Sequence, residues 1–286
     1  MINILVPVSF TDYSVNALAY ALTLAGKFPS KVTILYSFSE YEDIEEDALP
    51  EMPNSEESIQ RREADARNRL ERLSQSVFSK YSNFQEQKIN LESRFEFGYP
   101  EDAIVAVGKE LKADVIVMGT KSKGETIKEL LGSITTDVMK RAEAPVLAVP
   151  ANSTVDLEKL SKVLFITEFN EKDYLSFHKL IRLITPFNSE IHAIRFMHNR
   201  PDRDDMLKLE KFRDYCSATY HNHPMIFKHE TSQQFISDLE KYVVKNDIDL
   251  IAMTKRKRNR IAQLFSPAIT RKILFHTDIP LLVFHP

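Results

Sequence analysis

The sequence predicts an α/β protein made of two tandem, doubly wound parallel sheets. Three observations carry this reading. The chain has 286 residues, a length that suits two domains at roughly 100–200 residues each. Short apolar runs alternate with longer stretches of helical periodicity, the pattern of strands joined through helices in a parallel sheet covered on both faces. Finally, the apolar runs repeat. Residues 4–10 (ILVPVSF) align with 163–169 (VLFITEF) at an offset of 159, as do 31–38 (KVTILYSF) with 190–197 (EIHAIRFM). At an offset of 135, 113–118 (ADVIVM) aligns with 248–253 (IDLIAM) and 144–149 (APVLAV) with 279–284 (IPLLVF). A single deletion of 24 residues reconciles the two offsets. So long a period means tandem domains, because a solenoid repeats every 20–50 residues or so.

Taken in order, ILVPV reads as a buried strand and residues 12–27 as a helix. Asp12 is the expected N-cap, Val15, Leu18, Ala19 and Leu22 the expected apolar face, and Gly26 the stop. VTILYSF is a second strand, 59–80 a long amphipathic helix and 88–97 a third strand. The helix over 100–112 opens at Pro100, a favoured first-turn position. VIVMG, a glycine-containing loop, a helix over 131–142 and PVLAVP complete the first half. The expected division is therefore a domain over 1–150, a linker over 151–160 and a second domain over 161–286. Segment 40–57 holds nine acidic residues and no basic one; it reads as a solvated loop, with a lid as the alternative.

Composition narrows the function. A net charge of −3 argues against a protein that coats polyanions. No run of about 18 apolar residues is present, so no membrane span is expected. No basic residue precedes Lys27, so the charged start of a secretory signal is missing and a cytoplasmic protein is expected. The single cysteine, Cys216, excludes an internal disulfide and a cysteine-rich zinc site. It reads as a small packed residue. His221, His223 and His229 with Asp214 lack a recurring ligand spacing, so no metal site is expected. No GxSxG elbow, HExxH or GxxxxGK[ST] loop occurs, and no catalytic residue can be named.

The glycines split the halves. All six, at 26, 98, 108, 119, 124 and 132, lie in the first, whereas all eight histidines lie at or beyond 178. In residues 115–135 a buried strand runs out at Gly119, a polar loop follows, and Gly132-Ser133 opens a helix. Ligands of such folds sit at the carboxyl ends of strands, where glycine and a helix start let phosphate approach backbone N–H groups. Lys121 or Lys123 would add charge. The plainer alternative is that these glycines only shape a turn.

On these motifs the chain resembles a tandem universal stress protein across both halves. The resemblance rests on ILVPV with its polar loop, Gly98-Tyr99-Pro100, ADVIVMGTKSKG, LLGSIT and APVLAVP. It implies Rossmann-like domains packed with pseudo-twofold symmetry, 145–150 pairing with 280–285 as the last strands do in dimers of single-domain relatives. ATP-binding members carry glycine, two residues, glycine, nine residues, then glycine and Ser or Thr. Here the frame is Gly119, Ser122, Gly132, Ser133: the spacing is kept and the middle glycine is serine. Where the family's nucleotide binders place an aspartate against the ribose or adenine side, this chain has Ser9. The shorter, neutral side chain accepts no charge-assisted pair of bonds, which would weaken binding by about tenfold.

The nucleotide site implied by the resemblance comprises Pro7, Ser9, Ile34, Met118, Gly119, Ser122, Gly132, Ser133 and Ile134. Its ligand would be an adenine nucleotide, ATP, with Mg²⁺ entering only alongside it. Binding there would order loop 120–131 and change what the surface offers a protein partner. In the second half Gly119 becomes Thr254, Ser122 Lys257, Gly132 Pro267 and Ser133 Ala268, while Glu168 stands where Ser9 does. Proline removes an N–H donor, so the phosphate cradle cannot form there. Residues 255–260 (KRKRNR) read as a solvated basic loop, with an anion site as the alternative. Nucleic acid is disfavoured, because no aromatic residue interrupts that run. The leading expectation is a regulatory nucleotide binder acting with an unidentified protein partner, as an intrachain pseudo-dimer that could pair further as a homodimer. The competing ones are a nucleotide-free interaction protein with a vestigial loop, and a weak ATPase.

Overall fold

A computed structural model describes residues 1–39, 56–80, 89–121, 133–153, 160–255 and 278–285. Its described residues fall into two compact units, one drawn from 1–118 and 133–144, the other from 119–132 and 145–286. In the first, β1 (Ile2–Pro7), β2 (Ser30–Phe38), β3 (Ile89–Phe97) and β4 (Val115–Thr120) run parallel in the order β3-β2-β1-β4. Helices α1 (Asp12–Ala25), α2 (Glu56–Lys80), α3 (Pro100–Glu110) and α4 (Ser133–Arg141) connect or follow them. β1 and β4 are buried along most of their length, as strands covered on both faces must be.

The second unit holds β5 (Val146–Pro150), β6 (Lys162–Ile166), β7 (Glu190–Met197), β8 (Met225–Thr231), β9 (Leu250–Thr254) and β10 (Leu281–Phe284), in the order β5-β10-β9-β6-β7-β8. Its helices are α5 (Glu171–Ile184), α6 (Arg203–Thr219) and α7 (Phe235–Asn246). All its strand pairs are parallel except β5 with β10, which are antiparallel with Leu147 opposite Leu282. The sequence-expected pairing of the two closing strands is thus present. The α/β class and the tandem duplication are both realised.

Local differences have local causes. Thr11, not Asp12, takes the cap position of α1, and it makes no side-chain cap bond. Its hydroxyl is engaged with Ser9 Oγ at 3.0 Å, while Ser14 Oγ donates to the Thr11 carbonyl. The buried face of α1 runs through Ser14, Ala17, Leu18 and Ala21, leaving Val15 exposed. Small alanines let this helix lie close to the sheet, so its packed face is centred one position away from the bulkier stripe. The first strand ends at Pro7 because Phe10 turns the chain with φ +58°.

Two glycines have specific duties. Gly98 has φ +122°, which side chains rarely adopt, and its N–H donates to the Phe38 carbonyl. This turn delivers the chain to Pro100 at the start of α3, with Glu101 and Asp102 in the first turn and Lys109 in the last. At Gly108 an added Cβ would stand 3.0 Å from Ile116 Cδ1, so glycine lets α3 approach β4.

The duplication extends to individual hydrogen bonds. Asp114 Oδ2 accepts from Asn3 N, and Asp249 Oδ2 accepts from Lys162 N. Ser14 Oγ accepts from Ser9 N, and Asp173 Oδ2 accepts from Glu168 N. Val8 N donates to the Leu35 carbonyl as Thr167 N does to Ile194. Phe10 and Phe169 share a left-handed backbone (φ +58° and +56°), as do Lys112 and Asp247.

Candidate functional site

At the carboxyl ends of β1 and β2 the first unit encloses a cavity of about 440 Å³, a size that suits a small organic ligand. Pro7, Ser9, Phe10, Tyr36, Arg69 and Ile104 are among its lining residues. β1 supplies the floor by ending early. The turn at Phe10 lays that ring on Tyr36, with centroids 4.7 Å apart and planes 29° from parallel. Tyr36 meets Phe95 in turn at 5.7 Å. Two arginines of α2 cover this aromatic row: Arg69 Cζ lies 4.5 Å from the Phe10 centroid and Arg67 Cζ 4.0 Å from that of Phe95. Such placements are attractive because the ring face is negative. Among the described residues no carboxylate lines the cavity.

Of the residues implied for the nucleotide site, Pro7 and Ser9 line this cavity. Ile34 lies inside β2 and is fully buried, while its neighbours Leu35 and Tyr36 face the cavity. Met118 is buried and Gly119 half-buried, both in β4, which runs parallel to β1. Ser133 opens α4 and is exposed, with Ile134 half-buried behind it. Ser122 and Gly132 lie outside the described residues, as do acidic residues 40–55 and basic residues 256–260. Sequence reasoning missed Phe10, Tyr36 and Arg69. A signal for Phe10 existed, since phenylalanine follows Ser9 and its aligned residue Glu168 in both copies.

The second unit fills the corresponding place. Phe169 is 2% exposed and packs on Phe212 of α6 at 5.5 Å and on His229 of β8 at 5.4 Å. Arg195, in the position of Tyr36, reaches Glu168 at 3.5 Å and Asp205 at 2.6 Å. Burial raises the Asp205 carboxyl, but the bonds from Arg195 and from Asp202 N outweigh it and hold the group below its ordinary value. His229 Nε2 faces the Asp205 carbonyl at 3.3 Å. A carbonyl only accepts, so this nitrogen carries the proton. Burial lowers the imidazole's pKa, favouring the neutral ring.

Among the described residues no group of three or more His, Cys, Asp or Glu is arranged to hold a metal ion. His221 is exposed and His223 buried, both in the turn before β8. Cys216 is fully buried, and burial pushes its thiol up to about 12, far from a nucleophile's range. No described helix is long and apolar enough to cross a membrane.

A duplicated parallel sheet, with a cavity at the carboxyl ends of its first strands, defines a doubly wound α/β protein. Residues 1–150 match the universal stress protein family. The chain belongs to that family. It is 26% identical over 149 residues to universal stress protein MJ0531 of Methanocaldococcus jannaschii, covering 51% of this chain and 81% of that one. With universal stress protein MJ0577 of the same organism it shares 25% over 151 residues, covering 51% and 93%. The crystal structure of a universal stress protein from Archaeoglobus fulgidus is similar over nearly both whole chains (99% and 96%), with a TM-score of 0.73 at 15% identity. That likeness extends the fold to the second half.

Proposed function

We propose that this universal stress protein is a cytoplasmic regulator whose first unit binds an adenine nucleotide and whose second unit does not. The observation that carries the reading is the contrast at one repeat-equivalent place. The first unit leaves a cavity of about 440 Å³ beside Ser9, and the second occupies it with Phe169, Phe212 and the Arg195 ion pairs. The base would lie in the cavity beside Phe10 and Tyr36, with Pro7 and Ile104 as apolar walls. Ser9 and Thr11 offer hydroxyls where ATP-binding relatives offer an aspartate. Among the described residues no carboxylate or histidine lines the cavity; none is named to activate water, and turnover of ATP is no part of this reading. Signalling would come from differential binding, the ligand favouring one arrangement of the surface offered to a protein partner.

The test is calorimetric titration of the full chain with Mg·ATP beside a Ser9→Tyr variant that fills the cavity. Nucleotide carried through purification is first checked by denaturing the protein and chromatographing what is released. Micromolar binding that disappears in the variant is the expected result. No binding up to millimolar, with nothing released, overturns the proposal and leaves a nucleotide-free interaction protein.

A further inference from the structure

The described lining of the cavity carries a cation and hydroxyls where an aspartate-based ribose site carries an anion. An aspartate beside a ribose accepts hydrogen bonds from its hydroxyls. The side chains at that place here are Ser9 and Thr11, whose hydroxyls lie 3.0 Å apart and share one hydrogen bond, which leaves one O–H of the pair to donate to a ligand. Among the described residues the lining includes one cation, Arg69, and no anion. Arg69 Cζ sits over the Phe10 ring, 4.5 Å from its centroid, and a guanidinium held over a ring keeps N–H groups that can donate to a ligand. Its neighbour on the same helix, Arg67, is tied to Glu63 at 2.7 Å. Among the described residues, no carboxylate forms a salt bridge with Arg69.

We infer that the nucleoside end of the ligand itself carries an anionic group: the first unit selects a nucleotide phosphorylated on its ribose, read by Arg69 with the Ser9 and Thr11 hydroxyls. The planar guanidinium fork matches phosphate oxygens in a bidentate manner, and Phe10 fixes its orientation before binding. This inference rests on the nucleotide reading above and names the class of nucleotide within it.

The experiment titrates the full chain with 5′-AMP, adenosine 2′,5′-bisphosphate and adenosine 3′,5′-bisphosphate at constant ionic strength. Wild type, Arg69→Gln and Arg67→Gln are compared, with thermal unfolding as the check on folding. The expected result is that one bisphosphate binds about tenfold tighter than 5′-AMP, that Arg69→Gln brings this ratio close to one, and that Arg67→Gln keeps it. Whichever bisphosphate wins identifies the position of the phosphate. Equal binding of all three ligands overturns the inference and leaves the nucleotide reading standing. So does a preference that survives Arg69→Gln, or one lost equally in Arg67→Gln, which would reflect general charge. Failure of all three to bind at millimolar overturns this inference and the nucleotide reading together.

Discussion

The two units share a backbone skeleton and differ in what fills it. In both, a carboxylate at the start of the fourth strand of the repeat holds the start of the first: Asp114 on Asn3, Asp249 on Lys162. In both, the side chain at the head of the first helix accepts the N–H that follows the first strand, through Ser14 or Asp173. Around this common frame, the first unit sets Ser9, Phe10 and Tyr36 beside open space, and the second sets Glu168, Phe169 and Arg195 against Phe212 and Asp205. The frame therefore tolerates either outcome. A handful of side chains at the carboxyl ends of the strands decides whether the place is an open cavity or part of the core.

Four measurements would break or sharpen this contrast. The largest effect is expected from Phe212→Ala, which empties the filled site. It should destabilise the second unit by about 3–5 kcal/mol, against about 1–2 kcal/mol in the first for Phe10→Ala, whose ring borders a cavity. Native-state hydrogen exchange reads the two units separately; equal losses would refute the difference in packing. Next comes Asp173→Ala. This buried carboxylate accepts from Thr167 Oγ1, Glu168 N and Asn170 N, so its loss strands three donors and should cost about 3 kcal/mol, against about 1 kcal/mol for Ser14→Ala. Urea midpoints of the two variants supply the comparison.

The third measurement uses pH. His192 is buried, with Nδ1 2.8 Å from the Tyr242 hydroxyl, and burial lowers its pKa from 6.5. The unfolded chain therefore takes up a proton at a higher pH than the folded one. Its contribution is full above about pH 6.5 and declines as pH falls toward the folded value, at a limiting slope of about 1.4 kcal/mol per pH unit. Histidines occur only at or beyond position 178, so the loss should be confined to the second unit. It should shrink in His192→Gln, the remainder belonging to His229 with its own lowered pKa, when hydrogen exchange at pH 7.5 and 5.5 is compared. The smallest effect is chemical. Ser9→Asp should strengthen binding of 5′-ATP by about tenfold and abolish any preference for a ribose phosphate. A calorimetric titration showing weaker ATP binding would sink the reading of Ser9 as a substituted acid.

Much of this was legible in the sequence, for physical reasons that also mark the limits. The doubly covered parallel sheet of each copy follows from runs such as VIVM and LIAM, whose unbroken apolarity requires burial on both faces. The β5–β10 pairing followed from resemblance. The ends of elements were less legible: ILVPV places the end of the first strand at Val8, one residue beyond Pro7, and the left-handed turn at Phe10 carries no glycine to announce it. Arg69 was invisible for a different reason. On a helix as charged as α2, one arginine in a row of many gives no hint that it stacks over a cavity. Its role depends on Phe10, 59 positions earlier in the chain. The loss of the second site was half legible. Glu168 and the missing glycines were plain, whereas the plug of Phe169 and Phe212 joins two elements that only folding brings together.

The antiparallel pairing of β5 with β10 has a consequence for biosynthesis. Leu147 finds its partner Leu282 only after 135 further residues have been made. At translation rates of about 5–20 residues per second that interval is on the order of ten seconds. Throughout it, the backbone groups of β5 that β10 will bind stay open to strands of neighbouring nascent chains. On a crowded polysome the same antiparallel register could be satisfied between two chains. The length of sequence separating these strands thus makes chaperone protection and synthesis rate part of how the protein reaches its native state.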